Sequence, residues 1–147
     1  MSTNKSGMPC VKIVLVGGSA DGKTAAVVRF IRGTFIDEYD PTIEDSYTKV
    51  LSFEGTKVRL DITNTAGQEE FAPLRESYVR RSDVVVVFFD PTAPDALDVA
   101  QECINLTERV SGEEEVFRPV LIAETRIDLH AYELRRDEID QFLKKNQ

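Results

Sequence analysis

Apolar residues along this chain fall into two alternating patterns, which predict strands and helices in turn. Residues 11–16, 83–89 and 119–123 are nearly unbroken apolar runs of the kind found in strands buried on both faces. Residues 23–33 have a spacing that suits a helix ending at a glycine, and residues 135–146 carry an amphipathic pattern. Strands therefore alternate with helices.

The middle of the chain predicts a hairpin followed by two further helices. Residues 47–53 and 56–63 flank Glu54 and Gly55, and Val58, Leu60 and Ile62 alternate toward one face. A helix is predicted at 73–81. A second helix is predicted up to about Val110, with Thr92 and Asp95 as its capping pair. Residues 113–118 are interpreted as a solvated connection.

These elements predict one α/β domain at 11–147 after a polar leader at 1–10. The sheet should be mostly parallel, with one antiparallel hairpin strand and helices on both faces. The formal net charge of -8 argues against duplex nucleic acid as a partner and favours basic partners. Two cysteines, Cys10 and Cys103, fit a reduced cytoplasmic protein, and the sequence leaves a single disulfide between them open.

Neither end of the sequence carries a membrane signal. The first residues lack an apolar leader segment, no apolar run approaches the ~20 residues that span a bilayer, and the last residues, QFLKKNQ, lack a prenylation motif. We therefore expect a chain with no membrane anchor of its own.

Residues 17–24, GGSADGKT, match the phosphate-loop pattern through Gly17, Gly22, Lys23 and Thr24. In such a loop, backbone N–H groups surround phosphate oxygens, the lysine neutralises the β and γ phosphates, and the hydroxyl ligates Mg²⁺. The helix that follows adds its positive end. The alternative, a structural glycine turn, fits the order of strand, loop and helix less well, so a P-loop NTPase fold is predicted.

With this loop in place, the chain resembles the Ras superfamily of small GTPases, with Ras-like and Rho-like features mixed. Residues 35–47, FIDEYDPTIEDSY, resemble the first switch and effector segment of the family. Residues 61–75, DITNTAGQEEFAPLR, resemble the second switch, and residues 125–128, TRID, lie where the family has its guanine-reading motif. The resemblance covers residue 11 to the end, and it implies GTP and GDP as ligands with Mg²⁺.

The resemblance also implies roles for individual residues. Gln68 would orient the attacking water, Thr42 would close over the γ-phosphate, Phe35 would pack against the base, and Asp128 would accept two N–H bonds from guanine. Catalysis is expected from Gln68, Lys23 and Thr42, and metal binding from Thr24, Thr42 and, indirectly, Asn64. Nucleotide binding is expected from Gly17, Ser19, Ala20, Asp21, Gly22, Lys23, Thr24, Ala25, Phe35, Tyr39, Thr42, Gly67, Thr125, Arg126 and Asp128. Effector binding is expected from Asp37, Glu38, Tyr39, Asp40, Pro41, Thr42, Ile43, Glu44 and Asp45. The same resemblance implies effectors, a GAP and an exchange factor as partners.

The sequence departs from the family pattern at the nucleotide. Asn64 replaces the acid on the magnesium side, so Mg²⁺ should bind more weakly. Ser19 and Ala20 replace glycines, and their side chains should slow hydrolysis more than binding. Asp21 puts a carboxylate in the loop, pointing either at the nucleotide or outward. Arg126 replaces the usual lysine of the guanine-reading motif, a change that need not abolish guanine binding.

The sequence stops after what resembles the fourth helix of the family, so the final strand and helix of the family fold are not found in it. The strand at 119–123 should then be a sheet edge, and one face of the central strands should lose its cover and leave an apolar patch. Either the polypeptide is a shortened form, or another element covers that face.

The leading hypothesis is a Ras-type switch that binds guanine nucleotides and hydrolyses GTP slowly. The main alternative is a pseudo-GTPase binding module with weak or metal-independent nucleotide binding. A P-loop ATPase or kinase is a third reading, which Asp128 and the switch segments oppose.

Overall fold

The computed structural model describes residues 2, 3, 5, 7–18, 21–33, 44–65, 72–128 and 134–147. Within these ranges the strands are β1 (Ser2–Thr3), β2 (Pro9–Gly17), β3 (Glu44–Phe53), β4 (Thr56–Thr65), β5 (Val84–Phe89) and β6 (Val120–Glu124). The helices are α1 (Lys23–Arg32), α2 (Ala72–Arg80), α3 (Ala96–Glu114) and α4 (Arg136–Lys145). The predicted alternation of strands and helices is confirmed.

One mixed sheet carries these elements, in the order β3-β4-β2-β5-β6, with β1 paired to β2 beside this path. The neighbours β4-β2, β2-β5 and β5-β6 are parallel, and β3 runs antiparallel to β4. Glu54 and Gly55 form the hairpin turn, both with positive φ. The mostly parallel sheet with one antiparallel hairpin strand is therefore as predicted.

The core lies on both faces of the sheet because the central strands are buried on both sides. In β2, Val14 and Val16 pack with α2, α3 and α4, whereas Leu15 faces the opposite side and packs with Val27 and Val28 of α1. In β5 the same alternation separates Val85, Val87 and Phe89 from Phe88. This two-sided burial explains why both strands are continuous apolar runs in the sequence.

Two local predictions are wrong. Asp95 precedes α3 but makes no side-chain capping bond. The Thr92 hydroxyl and amide both donate to Asp90, so Thr92 and Asp95 do not form the predicted capping pair. Residues 113–118 are not a solvated connection throughout, because α3 continues to Glu114 and Arg118 is buried. The second was missed because Arg118 donates to the carbonyls of Ser82 and Arg80, which lie far from it in the sequence.

The two ends of the described sheet also bear on the sequence predictions. β1 lies within the predicted polar leader and pairs antiparallel with the start of β2. At the other side, β6 bonds to β5 alone among the described strands, so it is an edge, and its Leu121 is 59% exposed. Among the helices in the described part of the chain, none combines the length and apolarity that a membrane-spanning segment requires.

Candidate functional site

The site lies where the carboxyl ends of four neighbouring strands meet. Gly17 ends β2, Thr65 ends β4, Phe89 ends β5 and Glu124 ends β6. In open α/β sheets this edge is where ligands bind, because the loops that follow the strands converge there. The phosphate loop and the guanine-reading motif predicted from the sequence both follow these strand ends.

The start of α1 gives the phosphate loop its geometry. Gly22 precedes the helix in the left-handed region, with φ 94°, and its carbonyl accepts the first helical bond from Ala26 at 2.9 Å. Lys23 is therefore the first helical residue. The backbone N–H groups of the first turn have no partners within the helix and point toward the loop, which makes this end attractive to anions.

Lys23 and Asp21 form a buried ion pair inside this loop. Lys23 Nζ donates to the Gly18 carbonyl at 2.5 Å and to Asp21 Oδ1 at 2.8 Å, and the Lys23 amide also donates to Asp21 Oδ1, at 3.3 Å. The two side chains are only 6% and 5% exposed. Burial raises the pKa of the Asp21 carboxyl, and the Lys23 ammonium opposes that shift. Asp21 thus points inward, which settles the orientation that the sequence left open.

Gly17 is the glycine that this arrangement requires. Its φ is 151°, and a Cβ there would lie 2.1 Å from Asp21 Oδ2 and 2.4 Å from the carbonyl oxygen of Phe88. The second contact is with backbone and cannot be relieved by a side-chain rotation. A side chain at position 17 would therefore displace both the loop and the end of β5.

Asn64 joins the metal side of the site to the phosphate loop. Its side chain is fully buried, and Nδ2 donates to Thr24 Oγ1 at 2.8 Å. Its other atom, Oδ1, has no hydrogen-bond partner among the described residues. The neighbouring Thr65 hydroxyl donates to the Leu15 carbonyl at 2.7 Å, which holds the end of β4 against β2. Thr24 and Asn64, both expected on the metal side from the sequence, are thus in direct contact.

This pair of oxygens fits a magnesium ion that is held mainly by phosphate and water. Thr24 offers a hydroxyl ligand, and the buried Oδ1 of Asn64 is an acceptor for a metal-bound water. The described ranges contain no cluster of three or more His, Cys, Asp or Glu side chains arranged to hold a metal. An amide lacks the negative charge that a hard divalent cation prefers, so this side of the site is weakly charged for that task.

The predicted guanine-reading motif at 125–128 packs directly against the predicted phosphate loop. A Cβ on Gly22 would lie 3.4 Å from Thr125 Cγ2, and Thr125 is held by its amide and hydroxyl, which donate to the Phe89 carbonyl at 2.9 and 3.1 Å. Arg126 Nη1 pairs with Asp90 Oδ2 at 2.9 Å. Asp128 is exposed.

Comparison with known proteins agrees with this geometry. The Ras family model matches residues 12–147. The chain belongs to the Ras family. Ras-like protein 1 of Saccharomyces cerevisiae is 38% identical over 129 residues, which are 88% of this chain and 41% of that protein. Ras-related protein R-Ras of Homo sapiens is 38% identical over 120 residues, 82% of this chain and 54% of that protein. Ras-like protein 2 of Drosophila melanogaster is 38% identical over 122 residues, 83% of this chain and 62% of that protein.

The match to the Ras family confirms the family resemblance seen in the sequence. It also confirms the P-loop GTPase fold class with a mostly parallel sheet. The chain spans about half the length of the curated relatives it matches. The ligands and the activity of this chain are therefore proposals that rest on its own residues.

The structure brings together only part of the predicted site of this Ras-family chain. Gathered at the carboxyl edge are Gly17, Asp21, Gly22, Lys23, Thr24, Ala25, Asn64, Thr125, Arg126 and Asp128. Outside the described residues lie Ser19, Ala20, Phe35, Asp37, Glu38, Tyr39, Asp40, Pro41, Thr42, Ile43, Gly67 and Gln68. Glu44 and Asp45 begin β3. Asp90, which sequence reasoning missed, is the first residue after a buried strand on this edge, and that position was the available signal.

Proposed function

We propose that this chain is a guanine-nucleotide-binding switch of Ras type that binds GTP and GDP with Mg²⁺ and hydrolyses GTP slowly. The observation that supports the proposal most is the close approach of Gly22 to Thr125, since a Cβ on Gly22 would lie 3.4 Å from Thr125 Cγ2, and these residues belong to the predicted phosphate loop and the predicted guanine-reading motif. One ligand with a base at one end and phosphates at the other would span both loops.

The phosphate end of the ligand would be held by the start of α1. Lys23 would neutralise the β and γ phosphates, the first-turn amides would donate to their oxygens, and Thr24 would ligate Mg²⁺. Mg²⁺, when bound, supplies positive charge to the phosphate oxygens during transfer. Asn64 would accept from a metal-bound water through its buried Oδ1.

The base end would be read by Asp128. Its carboxylate would accept two N–H bonds from guanine, a contact that adenine does not match. Asp128 is exposed and accessible to such a ligand. The ion pair with Asp90 holds the guanidinium of Arg126, and the methylene stem of Arg126 would lie across the base. Thr125 anchors the motif to the end of β5.

Hydrolysis would proceed by in-line attack of a water that Gln68 orients on the γ-phosphorus. Two substitutions support a slow reaction. Asn64 contributes no charge on the metal side, and by the family resemblance Ser19 would add a side chain where Gln68 and an arginine from a GAP would approach. Fast turnover would therefore require a GAP, and nucleotide release an exchange factor.

Effector binding would use the first switch and the strand that follows it. In the described part of the chain, β3 bonds to β4 alone, so its outer edge has backbone groups available to a partner strand. The segment before β3 and the start of β3 are acidic in sequence, with Asp37, Glu38, Asp40, Glu44 and Asp45. A basic effector surface would complement it.

A pseudo-GTPase module is the second candidate, and the buried ion pair of Asp21 with Lys23 favours it. This pair reduces the positive charge that the loop offers to phosphate. Under this alternative the chain would keep the fold and the effector strand but bind nucleotide weakly or without metal.

Identification of bound nucleotide separates the two candidates. The purified protein is denatured, and the released small molecules are resolved by chromatography. Stoichiometric GDP or GTP, without adenine nucleotide, is the expected result. An empty protein with a normal thermal melt, which also fails to bind added GDP with Mg²⁺, would contradict the switch.

The metal side has its own test. Asn64→Asp restores a carboxylate beside Thr24, so nucleotide retention should become more dependent on Mg²⁺ than in the wild type. The measurement is the rate of GDP release before and after EDTA, with Asp95→Asn as a control because Asp95 is exposed and makes no capping bond. Equal EDTA effects in wild type and Asn64→Asp would show that position 64 does not influence the metal.

A further inference from the structure

Asp21 has contacts that the proposed reaction does not use. Its Oδ1 accepts hydrogen bonds from Lys23 Nζ at 2.8 Å and from the Lys23 amide at 3.3 Å. A side-chain ammonium and a first-turn amide are the donors that a phosphate loop offers to phosphate oxygens. The carboxylate of Asp21 therefore engages the donors that a bound phosphate would need.

Burial in the loop fixes the position of the Asp21 carboxylate, whereas an exposed side chain would sample many rotamers. The side chain of Asp21 is 5% exposed, and its Oδ2 has no hydrogen-bond partner among the described residues. This oxygen lies where a Cβ on residue 17 would have to be, so Gly17 provides the space for it. A buried, half-satisfied carboxylate is costly, and the bond to Lys23 is what compensates.

Charge decides what happens when a phosphate arrives. Lys23 has three N–H donors, of which one goes to the Gly18 carbonyl and one to Asp21. A phosphate oxygen at the remaining donor would lie close to the Asp21 carboxylate, and two like charges at that separation repel strongly. Binding of a polyphosphate therefore requires that the carboxylate leave Lys23.

We propose that Asp21 is an internal competitor for the phosphate site, an autoinhibitory carboxylate that holds Lys23 and the first amide of α1 until a polyphosphate ligand displaces it. The ligand class is a di- or triphosphate, since such an anion brings enough charge to exchange with the carboxylate. The identification of that ligand as a guanine nucleotide rests on the proposed function, but the competition itself does not.

Titration calorimetry on the full chain tests this competition directly. Asp21→Asn keeps the size of the side chain and an acceptor for Lys23 but removes the charge, and Asp21→Val removes both the charge and the acceptor. Asp95→Asn is the matched control, because it deletes an exposed carboxylate near the same edge of the sheet. Each form is first freed of bound nucleotide and its fold is verified by a thermal melt; it is then titrated with pyrophosphate, GDP, ADP and guanosine.

The expected result is at least about tenfold tighter binding of pyrophosphate and GDP by both Asp21 variants, with guanosine binding unchanged and the control equal to wild type. Equal pyrophosphate affinity in wild type and both Asp21 variants would overturn the proposal, as would weaker binding in both. Tighter pyrophosphate binding without any preference for GDP over ADP would support the internal competitor and contradict the guanine switch.

A structure of the wild type with GDP provides a second readout. The Asp21 carboxylate should then lie beyond hydrogen-bond distance of Lys23 Nζ. An intact bond between Asp21 and Lys23 beside a bound diphosphate would overturn the proposal even if the affinities had changed.

Discussion

At the carboxyl ends of the parallel strands, Asp21 and Asn64 each bury an oxygen that has no hydrogen-bond partner in the described part of the chain. At the amino ends, an ion-pair network joins α2, α3 and the segment before β6, and every carboxylate in it accepts from an arginine. The network consists of Glu76, Arg80, Arg109, Glu113, Glu114 and Arg118.

The carboxyl ends of the strands are thus suited to binding a ligand, and the amino ends are suited to stabilising the fold. Unpartnered buried acceptors cost folding free energy and are useful where a ligand or metal-bound water can pair with them. A network in which every carboxylate is paired holds the helices together, and its one buried atom without a partner among the described residues is a donor, Nη1 of Arg118. Arg118 illustrates the structural end, because it is buried and donates to the carbonyls of Ser82 and Arg80 as well as to Glu114. The chemistry of this chain is thus concentrated at one edge of its sheet.

The largest expected effect is at the carboxyl ends of the parallel strands, where the ligand would bind. Gly17→Ala should destabilise the chain by about 3 kcal/mol, because the new Cβ meets Asp21 and the Phe88 carbonyl. Gly33→Ala is the control: its φ is 71° but no atom lies within 4 Å, so only the backbone strain of about 1 kcal/mol applies. Denaturant melts measure both.

A double variant sharpens this test. Adding Asp21→Gly to Gly17→Ala removes the side-chain contact and leaves the backbone contact with Phe88, so the rescue should be partial. Full rescue would mean that Asp21 alone makes position 17 require glycine. Equal costs for Gly17→Ala and Gly33→Ala would contradict the packing described for the loop.

A somewhat smaller effect is expected in the ion-pair network at the amino ends of the strands. Arg118→Met fills the same space without donors, so the carbonyls of Ser82 and Arg80 lose a partner, at a cost of about 2 kcal/mol. Arg135→Met is the exposed control and should leave the midpoint unchanged, since its side chain is 74% exposed. Affinity for GDP should be unchanged in both variants. A loss of GDP affinity with Arg118→Met would break the separation of the two ends.

Local pattern was enough to predict the fold of this chain but not the contacts that its described site residues make. The runs at β2 and β5, the hairpin at Glu54 and the end of α1 at Gly33 are set by residues near in sequence. The direction of Asp21 depends on the loop around Gly17, and the bond between Asn64 and Thr24 joins residues 40 positions apart. Such long-range contacts leave no periodic signal in the sequence.

The two ends should also respond to acid with opposite signs. Bonds from Arg109 and Arg80 lower the pKa of Glu76 to about 2, so the stability that this carboxylate contributes is present above 4.5 and is lost as pH falls toward 2. Burial raises the pKa of Asp21 above its ordinary 3.8, so protonation of Asp21 on acidification favours the folded state.

Variants at the two positions isolate these small contributions. Glu76→Gln should flatten the loss of stability between pH 4.5 and about 2, and Asp21→Asn should steepen the same acid limb relative to its own value at neutral pH. Unfolding midpoints measured across this range give the slopes. Identical slopes in wild type and both variants would show that neither carboxylate is linked to folding in the way described.

Hydrogen exchange with and without Mg²⁺ and GDP tests the separation of the two ends most directly. The account predicts that the ligand slows exchange at amides 21–26, 64–65 and 125–128 and leaves amides 76–82 and 109–118 unchanged. Adenosine diphosphate at the same concentration serves as the control and should protect amides 125–128 less than GDP does. Equal protection of both groups by GDP, or no protection at 21–26 at saturating GDP, would contradict the account.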